Sequence, residues 1–300
     1  MDIKYVKHDE ILYDLWDDTV IYSVNASVFG RTWFLDSAFP NWEAIIWEDY
    51  KAVMPVFVVD GKAILPEWMP ITGIYFEETP KKESVHAMLK FLCEKFPRVN
   101  INLDKFSYFG GFGQGVFKKY SLYQFDTIKG VKKAVMETSP FVRRLMLQQT
   151  SEGFVFSKIP NVSLLERFLK LNEVAEDKSI EKLCSIVEKG EENKSSFSFC
   201  LATRSDKLLG IVTAIYDDNY IYLPQLTVFL GVDVPSSQMI MLYHILTFFE
   251  NSSAVLLIDP QRLKINEQLL QGMGGKKFEY TSFQTGIMAK LTNLFNFGRK

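Results

Sequence analysis

The sequence predicts an α+β protein in which one unit, about half the chain, occurs twice in tandem. Three observations carry this. The chain has 300 residues, room for two domains at about 150 residues each. A run of strands ends at Pro66 in AIIWEDYKAVMPVFVVDGKAILP and again at Pro224 in FCLATRSDKLLGIVTAIYDDNYIYLP, 158 positions later. An amphipathic helix followed by a short apolar strand ends at Asp104 and again at Asp259, 155 positions later. Landmarks repeating in the same order at nearly the same offset argue for duplication.

Residues 9–17 read as a short amphipathic helix with Ile11, Leu12 and Leu15 or Trp16 on one face. Residues 30–39 read as a second helix, carrying Trp33, Phe34, Leu35 and Phe39 and stopped by Pro40. Strand-like runs at 44–47 and 52–59 are joined by a turn at Glu48-Asp49-Tyr50. Asp60-Gly61 readily supplies the positive φ of a tight hairpin into a strand at 62–65. Val85, Met88, Leu89, Leu92 and Phe96 have helical spacing over 82–96. Pro97 ends that helix, and Val99, Ile101 and Leu103 alternate as a strand.

The second half repeats the order, with helices at 163–174 and 179–189 and strands at 197–203, 208–216 and 220–223, the last ending at Pro224. A helix capped by Ser236 or Ser237 runs to about Phe249 and leads into a buried strand at 254–258. A helix at 266–273 stops at Gly274-Gly275, and strands at 278–280 and 286–291 form a final hairpin. FGGFGQG at 109–115 resembles a phosphate cradle, but a strand rather than a helix comes after it, so it reads as a loop. The division falls within 121–152, giving domains 1–130 and 131–300, with exchange of one strand between halves as an option.

Composition excludes several classes. At 47% hydrophobic and 23% charged, the chain is of the folding kind. Thirty-four basic against 36 acidic residues offer no general attraction to a phosphate backbone. Cys93, Cys184 and Cys200 are far apart and lack CxxC spacing, which points to a reducing compartment and small buried hydrophobes. His8, His86 and His244 form no local metal motif, so no metal is expected. The polar start MDIKYVKHDE has no signal-like apolar stretch, and no apolar run reaches the ~18 residues of a membrane span. A soluble cytoplasmic protein without a membrane span is the expectation.

In the order of its elements the chain resembles the Gcn5-related N-acetyltransferase (GNAT) fold. As a tandem it resembles the FemAB-like transferases and their acetyltransferase-like bacterial relatives. The residues that carry this are Ala26 to Pro55, SPFVRRLMLQQTSEGF at 139–154, and LLIDPQRLKINEQLLQGMGGKK at 256–277. The resemblance implies two GNAT-like domains, each a mixed central sheet flanked by helices. It implies acyl or aminoacyl transfer to an amine, with two parallel strands splayed apart, here 220–227 and 254–258. A backbone N–H on the first would face the carbonyl oxygen, and the next helix start would hold a pyrophosphate in coenzyme-A-dependent members. The acceptor it implies is an amine of a cell-envelope or polysaccharide precursor.

The sequence departs from that pattern in two places. The coenzyme-A loop, normally Gln/Arg-x-x-Gly-x-Gly/Ala, is GVDVPSSQMI at 231–240 here, with one glycine and Asp233; in the other half it is EETPKKESV from Glu77. Leu270 stands where the family often places a tyrosine acid, and leucine cannot donate a proton. An acyl-CoA donor is therefore left open rather than assigned. These losses fit an aminoacyl-ester donor, and equally a catalytically inactive binding module. A tRNA-dependent branch is disfavoured: residues 163–194 carry eight acidic and six basic side chains and are too short for the family's helical-hairpin arm. Oligomeric state is not readable.

Each candidate site residue has a structural alternative. Arg143 and Arg144, with Lys132 and Lys133, can anchor an anionic substrate or form a solvated helix face. Asp259 can act as base toward the attacking ammonium or cap a turn beside Pro260. Gln225 and Thr227 on the splayed strand can bond a substrate amide or serve the sheet. Trp33 is the stacking candidate among Trp33, Trp42, Trp47 and Trp68, with core packing as its alternative. Tyr280 can face a groove or the core.

Overall fold

A computed structural model describes residues 2–127, 140, 154–203, 207–229 and 234–286. The chain forms two compact units, one from the start to Tyr120 together with the segment from Glu279, the other Ser121–Phe278.

The first unit runs β1 (Ile3–Val6), α1 (Tyr13–Tyr22), α2 (Thr32–Ala38), β2 (Glu43–Trp47), β3 (Ala52–Val56), β4 (Val58–Val59), β5 (Lys62–Ile64), β6 (Tyr75–Phe76), α3 (Lys82–Lys95) and β7 (Val99–Leu103), and enters β8 (Val116–Asp126). Strands β1, β2, β3 and β6 form one antiparallel sheet in that order. In the second sheet β4 pairs antiparallel with β5, and β5 pairs parallel with β7. Helix α3 buries Val85, Met88, Leu89 and Leu92, the stripe expected from 3.6-residue periodicity. They pack in one core with Val99, Ile101 and Leu103 of β7. Asp60 and Gly61 adopt φ of 50° and 70°, the doubly left-handed pair of a type I′ hairpin.

The second unit leaves β8 and continues through β9 (Phe154–Lys158), α4 (Val162–Leu171), α5 (Asp177–Glu192), β10 (Ser196–Thr203), β11 (Leu208–Tyr216), β12 (Tyr220–Val228), α6 (Val234–Phe248), β13 (Val255–Ile258) and α7 (Glu267–Gly272) into β14 (Lys276–Gln284). Its strand order is β8-β13-β12-β11-β10-β9. The β12–β13 pair is parallel and its other pairs are antiparallel. Met239, Met241, Leu242 and Ile245 of α6 share a core with Leu223, Leu256 and Ile258. The end of β14 belongs to the first unit, where Thr281–Gln284 pair antiparallel with β7. Among the described residues each unit thus holds one parallel strand pair beside antiparallel ones, the mixed sheet expected.

Four local expectations need correction. The first helix starts at Tyr13, and its inner face is Trp16, Thr19 and Val20; Leu12 and Leu15 are 58% and 46% exposed. The expected strand at 52–59 is two strands in different sheets, β3 and β4, parted at buried Phe57. Strand β12 does not end at Pro224 but runs on to Val228. Pro224 sits where the register with β11 shifts, a bulge at which a missing N–H is tolerated. The expected final hairpin is, over the described residues, the single strand β14; positions 287–291 lie outside them.

Candidate functional site

The chemistry-bearing geometry of the second unit lies where β12 and β13 part. The two strands pair over three residues only, Tyr220↔Val255, Ile221↔Leu256 and Tyr222↔Leu257. Strand β13 is an apolar run closed by Asp259-Pro260, and proline removes the next N–H. Strand β12 continues, still paired with β11 through Thr213↔Gln225 and Gly210↔Val228. The Phe229 N–H donates to Leu209 O at 2.9 Å. In an antiparallel ladder, bonded and non-bonded pairs alternate. Leu226 and Val228 therefore turn their N–H and C=O groups away from β11, to the side from which β13 has departed. Fixed N–H groups on such an edge are the donors that stabilise a developing oxyanion.

Arg262 reaches across the same divergence. The Asp259 Oδ1 accepts the N–H groups of Gln261 and Arg262 at 3.0 and 3.1 Å, which shapes the turn after β13. From that turn the Arg262 Nε donates to Pro224 O at 3.1 Å. Tyr222 is fully buried, and burial pushes its phenol up to about 12, with the Arg262 cation opposing the rise and Asp259 adding to it. Gln238, buried near the start of α6, points Nε2 at Leu263 O and Lys264 O, 3.5 and 3.4 Å away. Helix α6, the Arg262 turn and the β12 edge are thus held together.

The structure disperses the predicted residues. Gln225 is buried, and its Nε2 donates to Thr227 Oγ1 at 2.6 Å and Ile211 O at 3.2 Å. Its Oε1 accepts from Thr213, which bonds Ser198, so the amide belongs to a polar ladder across β12, β11 and β10. Asp259 and Gln225 both belong to the second unit, Asp259 in the turn. Trp33 and Tyr280 belong to the first unit. Trp33 is half-buried on α2, edge-on to Phe34 at 5.8 Å. Tyr280 is buried and stacked on Tyr120 at 5.6 Å. Trp42 is fully buried, its Nε1 bonded to Asp36, and Trp68 is buried too. Arg143 and Arg144, with Lys132, Lys133, Gly231 and Asp233, lie outside the described residues.

Two functional groups escaped sequence reasoning. One is Arg262, whose only local signal is a cation three residues after the strand-ending aspartate. The other is Tyr123 of β8, which pairs with Ile258 at the end of β13. Its hydroxyl donates to Glu267 Oε2 and accepts from Gln271 Nε2, both at 2.8 Å, on α7 either side of Leu270. That bond, ahead of Lys277, holds the Glu267 carboxyl below its ordinary value against a smaller burial effect. Leu270 itself is fully buried. A phenol does reach α7, but from a strand distant in sequence.

The first unit's parallel pair, Ala63↔Val99 and Ile64↔Asn100, diverges similarly, but its own chain fills the gap. Thr72 N–H donates to Asn102 O at 2.7 Å, and Asp104 N–H donates to Thr72 O at 3.0 Å. Asp104 Oδ1 accepts the N–H groups of Phe106 and Ser107 at 2.7 and 2.9 Å, the same turn that Asp259 makes. The repeated aspartates are thus turn caps in both copies. The copies differ in the group that spans the gap: backbone in the first unit, the Arg262 side chain in the second.

Burial pushes the thiols of Cys93 and Cys184 up to about 12, so neither is a thiolate nucleophile near neutral pH. Among the described residues no group of three or more His, Cys, Asp or Glu could hold a metal ion, and no helix is long and apolar enough to cross a membrane.

No protein-family model matches the sequence, and no curated protein sequence matches it. Solved structures do. FemX shares 10% identity, with 94% of this chain and 97% of that one covered and a TM-score of 0.61. The L-PGS of Bacillus licheniformis shares 8% identity over 93% and 94%, with a TM-score of 0.59. A tandem GNAT protein from the clavulanic acid biosynthesis pathway shares 7% identity over 95% and 98%, with a TM-score of 0.53. At such identities the likeness is one of fold. This chain has the tandem GNAT-like, FemAB-like fold, with mixed sheets flanked by helices.

Proposed function

We propose that the chain is an acyl- or aminoacyltransferase whose donor carbonyl sits at the divergence of β12 and β13, with an amine as acceptor. The observation that carries this is the open edge of β12, where the Leu226 and Val228 N–H groups stand beside the strand crossed by Arg262. The amine nitrogen attacks the carbonyl carbon, the oxygen takes up negative charge against those N–H groups, and the C–N bond forms as the donor's C–O bond breaks. The ammonium proton passes to Asp259, whose Oδ1 holds the turn and whose Oδ2 has no described partner, and from there to the departing oxygen, which leaves as an alcohol. Gln225, through the ladder to Thr213 and Thr227, keeps β12 in register. Positioning of this kind supplies much of a transferase's rate.

The described start of α6 offers coenzyme A little. The helix opens Val-Pro-Ser-Ser; Pro235 has no N–H, and Ser236 and Ser237 are 5% and 3% exposed. Little is left there to receive a pyrophosphate. We therefore read the donor as an ester such as an aminoacyl ester. The acceptor is taken to be an amine of a cell-envelope or polysaccharide precursor, with Arg143 and Arg144 anchoring its anionic part. A second reading, a binding module without catalysis, is favoured by the turn-capping role of Asp259 and by Leu270.

Calorimetric titration with a hydrolysis-resistant amino-acid amide, an isostere of an aminoacyl ester, tests the donor reading. Wild type is expected to bind, and Arg262→Met, which also gives up the bond to Pro224 O and melts somewhat lower, to bind about tenfold or more weakly while still folded. Absence of binding to wild type would refute the ester donor and favour the binding module. Micromolar binding of acetyl-coenzyme A would overturn the argument from α6.

A further inference from the structure

In the first unit, the sheet of β5, β7 and the end of β14 presents its two faces unequally. Ala63, Val99, Ile101 and Phe283 are buried in the core with α3. Strand alternation turns Lys62, Ile64, Asn100 and Gln284 to the opposite face. There they line, with Arg98 and Thr285, a cavity of about 340 Å³. The register Ala63↔Val99 and the Ala63 N–H bond to Arg98 O at 3.0 Å set Lys62 of β5 beside Arg98, the residue that leads into β7. Like charges so placed destabilise a sheet, and neither side chain forms an ion pair with a described residue.

The remaining lining is ordered. Gln284 Nε2 donates to Asn100 Oδ1 at 3.2 Å, which leaves Asn100 Nδ2 as a further donor beside the cations. Thr285 Oγ1 accepts the Val99 N–H at 2.9 Å and donates to Pro97 O at 3.1 Å, so the wall is tied to the strand start. Ile64 and the lysine stem supply an apolar floor. A floor of this kind beneath two cations and an amide donor matches a ligand with an apolar or sugar-like body and one multiply charged head.

We propose that this cavity binds a small phosphate-bearing molecule, its phosphate bridging Lys62 and Arg98 and its body resting on Ile64. A phosphate monoester brings about −1.5 to −2 charges and three acceptor oxygens, enough for both cations and the Asn100 amide at once, which a carboxylate lacks. The inference stands on the first unit alone and is independent of the transferase reading.

The intact protein is titrated calorimetrically with glycerol 3-phosphate at fixed ionic strength, and in parallel sedimented with vesicles containing phosphatidic acid. Saturable 1:1 binding of glycerol 3-phosphate, weakened about tenfold or more in Lys62→Met/Arg98→Met and by an intermediate amount in Arg98→Met, is the expected result. The double variant without ligand is expected to melt no lower than wild type, because a repulsion has been removed. Vesicle binding lost in the double variant, with no soluble binding, assigns the phosphate to a lipid headgroup instead of a free ester. Failure to bind either probe, or equal binding by wild type and the double variant, overturns the proposal.

Discussion

Replacing Asp104 with alanine is expected to destabilise the first unit by about 3 kcal/mol, the upper range for breaking a buried hydrogen-bond network. Its carboxylate is buried and accepts four donors: Phe106 N, Ser107 N, Ser107 Oγ and the Asn25 Nδ2. Alanine would leave the Phe106 N–H and the Ser107 hydroxyl without an acceptor, and would leave the Asn25 amide and the Ser107 N–H only their longer bonds to Ile74 O and Asp104 O, both 3.2 Å. Asp104→Asn is expected to cost about 1 kcal/mol. The asparagine oxygen keeps the Oδ1 bonds, and its NH₂ can donate to Asn25 Oδ1, which is buried without a partner, once the Asn25 amide turns over. That turn gives up only the longer 3.2 Å bond to Ile74 O.

The two proteins should also differ in pH response. Burial raises the Asp104 carboxyl above its ordinary value, with Asn25, Phe106 and Ser107 pulling the other way. The folded state then keeps its proton where the unfolded chain has lost it. This contribution to stability is full below the unfolded value near pH 4 and is lost as pH rises through the folded value. Asparagine cannot titrate, so its deficit relative to wild type should shrink as pH rises above about 4. Urea unfolding monitored across that range checks both claims; a deficit independent of pH would show that the carboxyl titrates alike folded and unfolded.

Gly30→Ala is expected to cost about 2–3 kcal/mol, the upper range for overpacking a core. A Cβ at Gly30 would stand 2.5, 2.6 and 2.9 Å from Cζ, Cε2 and Oη of Tyr75. Neither side can withdraw easily. Tyr75 is 2% exposed on β6, which pairs with β3. Gly30 O accepts the Trp16 Nε1 at 2.7 Å, and Trp16 packs on Trp42 at 4.6 Å between ring centroids. Near-UV circular dichroism should change along with Tm, since the Gly30 carbonyl that holds the buried Trp16 indole moves with the backbone. Tyr75→Leu should cost stability alone yet restore part of what Gly30→Ala loses, a coupling that a double-mutant cycle reads directly. Strict additivity would place the strain elsewhere.

Much of the fold is legible because it rests on local pattern. The α3 stripe, the alternation of β7, the Asp60-Gly61 turn and the two strand-ending aspartates are all set by residues within a few positions of one another. The misjudged places are those where distant contacts override that pattern. Pro224 looks like a strand end until its bulge against β11 is seen. Leu12 and Leu15 look like core until Trp16 takes the inner face of α1. Arg262 and Tyr123 carry no local mark, since their partners, Pro224 O and Glu267 Oε2, lie 38 and 144 residues away.

Periodicity and turn chemistry therefore establish that one unit occurs twice and that each copy ends a parallel strand on a capping aspartate. Which copy keeps an unpaired edge is a matter of tertiary structure. Thr72 supplies backbone hydrogen bonds across the gap in the first unit, and a guanidinium bonded to Pro224 O spans it in the second. An aspartate turn is closed by its next three residues. The gap beside it is closed by whatever segment the rest of the fold brings there, and no spacing within a single strand encodes that.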